Sequence, residues 1–346
     1  MPTEEPSLAE AMGRQADACE SLGSPQYASL IRRLRADLEA GGLTHRLLSG
    51  RTESPLRDAI TLRLLGAVHR IVLRGDSPEL ALRYRSAGGD GSTIDPELFL
   101  ATAMQFEAEI LEGLHQNVQT NEVGRCAPLV PAFALVARET GLPLSMLEVG
   151  ASGGLISNWD RYRYECHGSA LGPADSTVRF TDRWTDEFDL SGDLNVAARN
   201  ACDVAPLDVT TPEDRLRLLS FVWPDQEQRF SLLTAALDLA QRYPPVVQRA
   251  DAGDWLADNL PARAPGTATI VFHSIVWQYL PRPTKERLRE VLEHQGSSAT
   301  SRRPIAWVRL EPAGTHADVR VTTWPGGYER TVALSSYHGS DVRVSP

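Results

Sequence analysis

The spacing of apolar residues changes once along this sequence, at about residue 140. Before that point they recur at helical spacing, for example at Leu30, Leu34 and Leu38. A further helix is predicted to begin at Pro96, because proline is favoured in the first turn of a helix. No segment here alternates in the way a strand does. Residues 1–140 are therefore predicted to form a helical N-terminal or cap domain.

After residue 140, short runs of β-branched residues alternate with helical stretches, which is typical of a parallel sheet covered by helices. Residues 141–346 are therefore predicted to form an α/β domain with a sheet of about seven strands, an arrangement that resembles the Rossmann-like sheet of methyltransferases. Its last two strands are expected to pair antiparallel, and an inserted hairpin, formed by residues 161–165 and 177–180, is expected near residues 160–195. The predicted strands are 144–149, 195–202, 246–249, 269–276, 305–310, 319–324 and 331–335, with an optional extension at 342–344.

Composition excludes several classes of protein. The formal net charge of −10 disfavours nucleic acid as a partner, because an acidic surface repels phosphate backbones. No apolar run reaches the roughly 18–20 residues that a membrane span needs, and residues 1–15 lack the profile of a signal peptide. We therefore expect a cytoplasmic protein that acts on a small molecule; its oligomeric state is left open.

The cysteines are few and widely separated. With no Cys-x-x-Cys pair, their spacing predicts neither a disulfide framework nor a metal site. They lie at positions Cys19, Cys126, Cys166 and Cys202.

A glycine-rich segment after the first predicted strand carries the clearest chemical signal. Glu148, Gly150, Ser152 and Gly154 follow the pattern Asp/Glu-x-Gly-x-(Gly/Ser)-x-Gly of S-adenosylmethionine-binding Rossmann-like methyltransferases. Glycines at such a bend let the backbone approach a ligand closely. Replacing Gly150 with Val is accordingly expected to abolish ligand binding while leaving the fold largely intact. The alternative is that these glycines only shape a turn.

Two acids at the ends of later strands are candidates to complete the binding site. Asp203 follows the second predicted strand, where an acid can accept hydrogen bonds from ribose hydroxyls. Asp251 follows the third, where it is a candidate to meet the adenine amine. Asp203 lies 49 residues after Gly154, whereas the usual spacing is roughly 20, so the insertion must account for the excess. The alternative for either acid is that it only caps a turn.

Polar residues on either side of the sheet's first strands supply further candidates. Asn121 and Arg125 precede the first strand and would contact the cofactor if their segment folds over the glycine loop. The alternative is a helix cap, formed by Thr120 or Asn121, with Arg125 in solvent. His273 and Tyr279 lie where the fourth strand ends, the edge at which open α/β sheets bind ligands. His273 is the candidate general base and Tyr279 the candidate that orients the acceptor. Packing in the core is the alternative role for both.

Several motifs together resemble an uncharacterised, mainly actinobacterial family, the domain of unknown function numbered 2332. The resemblance extends over residues 10–345 and implies no established reaction. The family's loop usually reads Gly-Ala-Ser-Ala-Gly, so Gly153 is a small departure. The motifs occupy residues 119–125, 148–154, 160–164, 222–226, 273–281 and 324–327.

Three functions remain open at this stage. The favoured one is an S-adenosylmethionine-dependent methyltransferase acting on an unknown small molecule. The second is a non-catalytic nucleoside-binding or sensor protein with the same fold. The third is a serine hydrolase, because residues 150–154 also read Gly-x-Ser-x-Gly. It would use Ser152 as the nucleophile, His338 or His273 as the base, and an acid such as Asp318.

Overall fold

The computed structural model describes residues 5–190 and 194–345, and the chain divides into two compact units. One comprises residues 1–120 and 211–231, and the other comprises residues 121–210 and 232–346. This division differs from the boundary expected near residue 140. The reason is the helix α8 (Cys126–Thr140), whose Phe133 ring packs 5.2 Å from Phe272 of the sheet. Helical spacing identifies a helix but does not say which core that helix joins.

The first unit is helical. Leu30, Ile31 and Leu34 on α2 and Leu64, Leu65 and Val68 on α4 lie in one buried core. The helix predicted from Pro96 is divided at Phe106 into α6 and α7. The helices before α8 are α1 (Leu8–Ser21), α2 (Pro25–Glu39), α3 (Leu43–Leu48), α4 (Ile60–Arg74), α5 (Pro78–Ala81), α6 (Pro96–Gln105) and α7 (Glu107–His115).

The later segment 211–231 completes this helical unit. It contains α9 (Pro212–Ser220) and the start of α10 (Glu227–Arg242). Between them, the Asp225 carboxylate accepts hydrogen bonds from Ser24 Oγ at 2.5 Å and Gln26 N at 3.1 Å. Ser24 makes no side-chain cap for α2, so Asp225 satisfies a free N–H of that helix's first turn.

The second unit is built on a mixed sheet of eight strands, one more than the predicted seven, in the order β11-β10-β9-β8-β7-β1-β5-β6. Strands β6, β5, β1, β7 and β8 are parallel, and β9, β10 and β11 continue the sheet antiparallel. The strands are β1 (Leu144–Val149), β5 (Val196–Asp203), β6 (Val247–Arg249), β7 (Ala268–Ser274), β8 (Ile305–Ala313), β9 (His316–Trp324), β10 (Tyr328–Ser335) and β11 (Arg343–Val344).

Numbered by their order along the chain, the five parallel strands lie across the sheet, from β6 to β8, in the order third, second, first, fourth, fifth. This is the doubly wound order, which reverses direction between β1 and β7. Helix α8 covers one face through Phe133, while α11 (Ala252–Asn259) and α12 (Arg282–Ser297) cover the other through Trp255 and Leu288. The reversal point is where such sheets bind ligands.

The insertion after β1 is a separate small sheet rather than the predicted hairpin. Strand β2 (Arg163–Cys166) pairs antiparallel with β3 (Ser169–Leu171) and parallel with β4 (Arg179–Phe180). The two segments expected to form the hairpin, 161–165 and 177–180, are therefore parallel neighbours. Gly168, at φ +89°, lies in the true hairpin turn between β2 and β3.

The four cysteines are buried and not joined in disulfides. None of the helices in the described ranges combines the length and apolar character needed to cross a membrane.

Candidate functional site

The loop after β1 bends sharply at the reversal point of the sheet. Gly150, Ser152 and Gly154 all have positive φ, at +70°, +54° and +72°. The backbone N–H groups of Gly150 and Ala151 donate to the carbonyl of Cys202, at 2.9 and 3.0 Å, and fasten the loop to the end of β5. Ser152 is notable because only glycine adopts this conformation without cost.

The glycines of this loop pack against the chain itself. A Cβ at position 150 would overlap the Val276 side chain, and one at 154 would lie 2.6 Å from Pro245 and 2.7 Å from Val247. Replacing Gly150 with Val would therefore strain the fold directly. The expectation that such a variant keeps its fold largely intact is at odds with this packing, because sequence letters do not reveal which atoms approach a glycine.

Asp203 lies against this loop despite its distance along the sequence. One carboxylate oxygen accepts from Ser152 N at 2.8 Å, and the other accepts from Ala205 N at 2.9 Å. The small inserted sheet accounts for the long spacing, since it leaves from β1 and returns at β5. Asp203 is partly exposed. The Ser152 side chain is buried, and its hydroxyl has no hydrogen-bond partner among the described residues.

Glu148 is buried in β1, two residues before the loop. Ser157 Oγ donates to one of its carboxyl oxygens. Burial raises the pKa of Glu148 from 4.5 to about 8, and the nearby charge of Asp203 adds to the increase. A carboxyl group with this pKa is mostly protonated at pH 7, which avoids the cost of an unpaired buried charge.

The two polar residues upstream of β1 have different environments. Asn121 Oδ1 accepts from Leu155 N at 2.8 Å, so its segment does fold against the end of the glycine loop. The Arg125 guanidinium donates to the carbonyls of Ser274, at 3.0 Å, and Tyr337, at 3.2 Å. Arg125 thus ties the end of β7 to the C-terminal segment, and these bonds give it a structural role.

Asp251 caps helix α11. One carboxylate oxygen accepts from Gly253 N at 2.8 Å, and the other accepts from Thr284 Oγ1 at 2.7 Å. The carboxylate therefore joins α11 to α12. The sequence placed Asp251 at a strand end but did not reveal the helix that begins immediately after it.

The two candidate catalytic residues after β7 lie in contrasting environments. His273 is 2% exposed, its Nδ1 lies 2.6 Å from Glu311 Oε1, and its ring stacks on Trp277. Its Nε2 has no hydrogen-bond partner within the described chain. Tyr279 is 72% exposed. Of the two, only Tyr279 is open to a ligand arriving from solvent.

Glu311 is a residue of this region that sequence reasoning missed. Besides His273, its Oε1 accepts from the N–H groups of Val276, at 3.1 Å, and Trp277, at 3.2 Å. It thereby holds the turn that follows β7. Its position inside β8 gave no signal, because nothing in the sequence connects residue 311 with residues 273–277.

The triad considered for a serine hydrolase is not assembled. Asp318 lies 3.0 Å from His316, whereas His338 Nδ1 lies 3.3 Å from Glu122 Oε2. Ser152 Oγ, which would be the nucleophile, has no hydrogen bond to an imidazole in the described residues. The Glu122–His338 pair was not anticipated from the sequence, since 216 positions separate its members.

Comparison with known proteins places the chain in one family. The model described as "Uncharacterized protein conserved in bacteria (DUF2332)" matches residues 9–343. The chain belongs to this family. The match covers both compact units, so the family is defined by the helical unit and the sheet unit together. No curated protein and no solved structure matches the chain.

Proposed function

We propose that this member of the DUF2332 family binds S-adenosylmethionine at the carboxyl edge of its sheet and transfers the methyl group to a small molecule. One observation carries the proposal: the hydrogen bond from Ser152 N to Asp203. It brings the bend after the first parallel strand beside the acid after the second, and these are the two elements that contact the nucleotide in dinucleotide-binding α/β folds.

The remaining hydrogen-bonding capacity of Asp203 fits a ribose. An ionised carboxylate offers about four acceptor sites, and Ser152 N and Ala205 N occupy two of them. Because Asp203 is partly exposed, its other lone pairs can accept from the two ribose hydroxyls. The Ser152 hydroxyl has no hydrogen-bond partner among the described residues, so it retains the capacity for one bond to a ligand that reaches this bend, although its oxygen is buried in this structure.

The chemistry of methyl transfer places few demands on protein side chains. The bound sulfonium supplies an activated methyl group, and the protein's task is to hold an acceptor in line with it. Tyr279 follows the strand next to β1, and its exposed hydroxyl is suited to orienting an acceptor. A cytoplasmic location, where cysteine thiols stay reduced, is part of this proposal.

Calorimetric titration of the whole chain with S-adenosylmethionine and S-adenosylhomocysteine tests it, with NAD and FMN as comparison ligands. We expect micromolar dissociation constants for the first two only. Asp203→Asn should weaken both by about tenfold, the loss expected for hydrogen bonds to a charged acceptor. The matched control is Asp208→Asn, since exposed Asp208 also accepts from a backbone N–H two residues ahead, Thr210 N.

Two outcomes would contradict the proposal. One is an absence of heat with either adenosyl compound at millimolar concentration. The other is equal weakening by Asp203→Asn and Asp208→Asn, which would remove Asp203 from the site. Thermal melts of both variants establish that they are folded.

The burial of His273 favours a second candidate, a nucleoside-binding protein without catalysis. A base that is 2% exposed and bonded to Glu311 is poorly placed to take a proton from an acceptor. This candidate predicts that S-adenosylmethionine and S-adenosylhomocysteine bind, but that the methyl group of radiolabelled S-adenosylmethionine is never transferred to bacterial small-molecule extracts.

A further inference from the structure

The only lysine of the sequence, Lys285, lies over an aromatic ring beside the proposed site. Its Nζ is 5.9 Å from the centre of the Trp277 ring. Arg289, one turn further along α12, places its guanidinium carbon 4.9 Å from the same ring. Trp277 is partly exposed at this surface. We call Trp277, Lys285 and Arg289 the cationic patch.

The two cations of the patch lack acidic partners. Neither Lys285 nor Arg289 has a carboxylate within 4.0 Å among residues 5–190 and 194–345. Their neighbours on α12 differ, since Arg282 pairs with Glu286 at 2.7 Å and Arg287 lies 3.9 Å from Glu290. Like charges four residues apart on a helix repel each other, and an anion bound between them would relieve this repulsion.

One carboxylate close to Trp277 is already engaged. Glu311 accepts from Trp277 N and Val276 N and bonds to His273. The acids that follow the two cations along α12, Glu286 and Glu290, pair with Arg282 and Arg287. The first turn of α12 contains no acidic residue of its own, and the carboxylate at this end of the helix, Asp251, is held by Thr284 and by the N-terminus of α11.

The patch lies next to the glycine loop. Val276 precedes Trp277 in the chain, and its side chain fills the space beside Gly150. Tyr279, two residues after Trp277, is largely exposed. An anion held by the patch would therefore lie at the same edge of the sheet as a cofactor held by the loop.

We propose that the cationic patch binds the carboxylate or phosphate group of a small molecule, with Trp277 packing against its apolar part. Calling that molecule the methyl acceptor rests on the proposed function above. Because both cations share one indole ring, the patch matches a single anionic group rather than an extended polyanion. Cations on an aromatic face retain much of their attraction for an anion on the open side.

A single lysine makes the test direct. Reductive ¹³C-methylation keeps the charge and labels only Lys285 and the terminal amine, so one NMR signal reports on the patch. The labelled protein is titrated without cofactor, with benzoate, phenyl phosphate and neutral benzamide, each to about 50 mM. We expect the Lys285 signal to shift saturably with one or both anions and not with benzamide, and the shift to diminish in high salt.

Variants separate the patch from general charge. Arg289→Gln should weaken the anion's affinity at least about fivefold, as expected when one charged contact is lost. Arg282→Gln removes the same charge from the same helix, but Arg282 is not one of the two cations over Trp277; it should leave the affinity within twofold. Equal weakening by both variants, or no saturable shift with either anion, overturns the patch.

The outcome is independent of cofactor binding. If the wild type binds no adenosyl compound but both it and Asp203→Asn bind the anion, the patch is retained and the methyltransferase is rejected. If an adenosyl compound binds but the Lys285 signal does not respond to either anion, the proposed function is retained and the patch is rejected. A preference for phenyl phosphate over benzoate, or the opposite, assigns the class of the anionic group.

Discussion

Replacing Glu148 with Gln should make the protein progressively more stable, relative to the wild type, as the pH rises from 5 to 8, although it alters a buried residue at the proposed site. The glutamine side chain would keep an oxygen to accept the Ser157 hydrogen bond and would carry no titratable proton. In the wild type, burial holds the pKa of Glu148 at about 8, against 4.5 in the unfolded chain. The folded state thus retains a proton that the unfolded chain releases.

The sign and size of the effect follow from this difference. Between pH 4.5 and about 8 the folded state binds more protons, so the free energy of unfolding falls as pH rises. Each pH unit corresponds to about 1.4 kcal/mol. Relative to its value below pH 4.5, the free energy of unfolding is therefore lowered by Glu148 by about 3 kcal/mol at pH 7 and by roughly 5 kcal/mol above pH 8.

Urea unfolding of the wild type and Glu148→Gln at pH 5, 6, 7 and 8 measures this contribution. The stability difference between the two should grow in favour of the variant with each step. Glu139→Gln is the control, because Glu139 is an exposed partner of Arg330 in the same unit and should reproduce the wild-type pH dependence. A difference that stays constant across the pH series would refute a neutral Glu148.

Three further predictions concern residues around the loop. Gly150→Ala should destabilise the fold by about 1–3 kcal/mol in urea unfolding, because the new methyl group overlaps the Val276 side chain. Adding Val276→Ala should recover part of this loss. If it recovers none, the positive φ of residue 150 is the main cause of the destabilisation. Asp251→Ala should cost about 1–2 kcal/mol through loss of the α11 cap and leave adenosyl affinity unchanged; weakened affinity would return Asp251 to the binding site. Ser152→Gly should raise stability by about 1 kcal/mol yet weaken adenosyl binding in calorimetry; unchanged binding would show that the hydroxyl does not contact the ligand.

The sequence predicts those features of the fold that depend on local pattern. Strand β1 at residues 144–149 and Asp203 at the end of the next strand are both predicted correctly, because apolar runs and turn residues mark such elements directly. Helix α11 is not predicted, because its eight residues mix Asp, Gly and Trp, which obscures the helical period. Without that helix, the pattern offers a ligand contact as the role of Asp251, whereas the structure shows an N-cap.

Pairings between distant segments cannot be predicted from the sequence. The register of β2 with β4, the capping of α2 by Asp225 and the bond of Glu311 to His273 each join residues whose spacing carries no signal. In each case the pairing is set by packing in three dimensions. The same holds for the site, where the position of His273 after a strand makes it a candidate, but its exposure depends on which face of the sheet it occupies.

The glycines of the loop do not by themselves argue for a ligand, since Val276 and Val247 occupy the space that their missing side chains leave. Ser152 is different, because a turn alone would be served better by glycine at φ +54°. The serine adds backbone strain and a buried hydroxyl without a partner among the described residues, each costing about 1 kcal/mol or more. Neither the strained backbone nor the unpaired hydroxyl improves the packing of the loop. A hydrogen bond from the hydroxyl to a bound molecule beside Asp203 would offset both costs. The strained serine, more than the glycines around it, is what distinguishes this bend from an ordinary strand–helix connection.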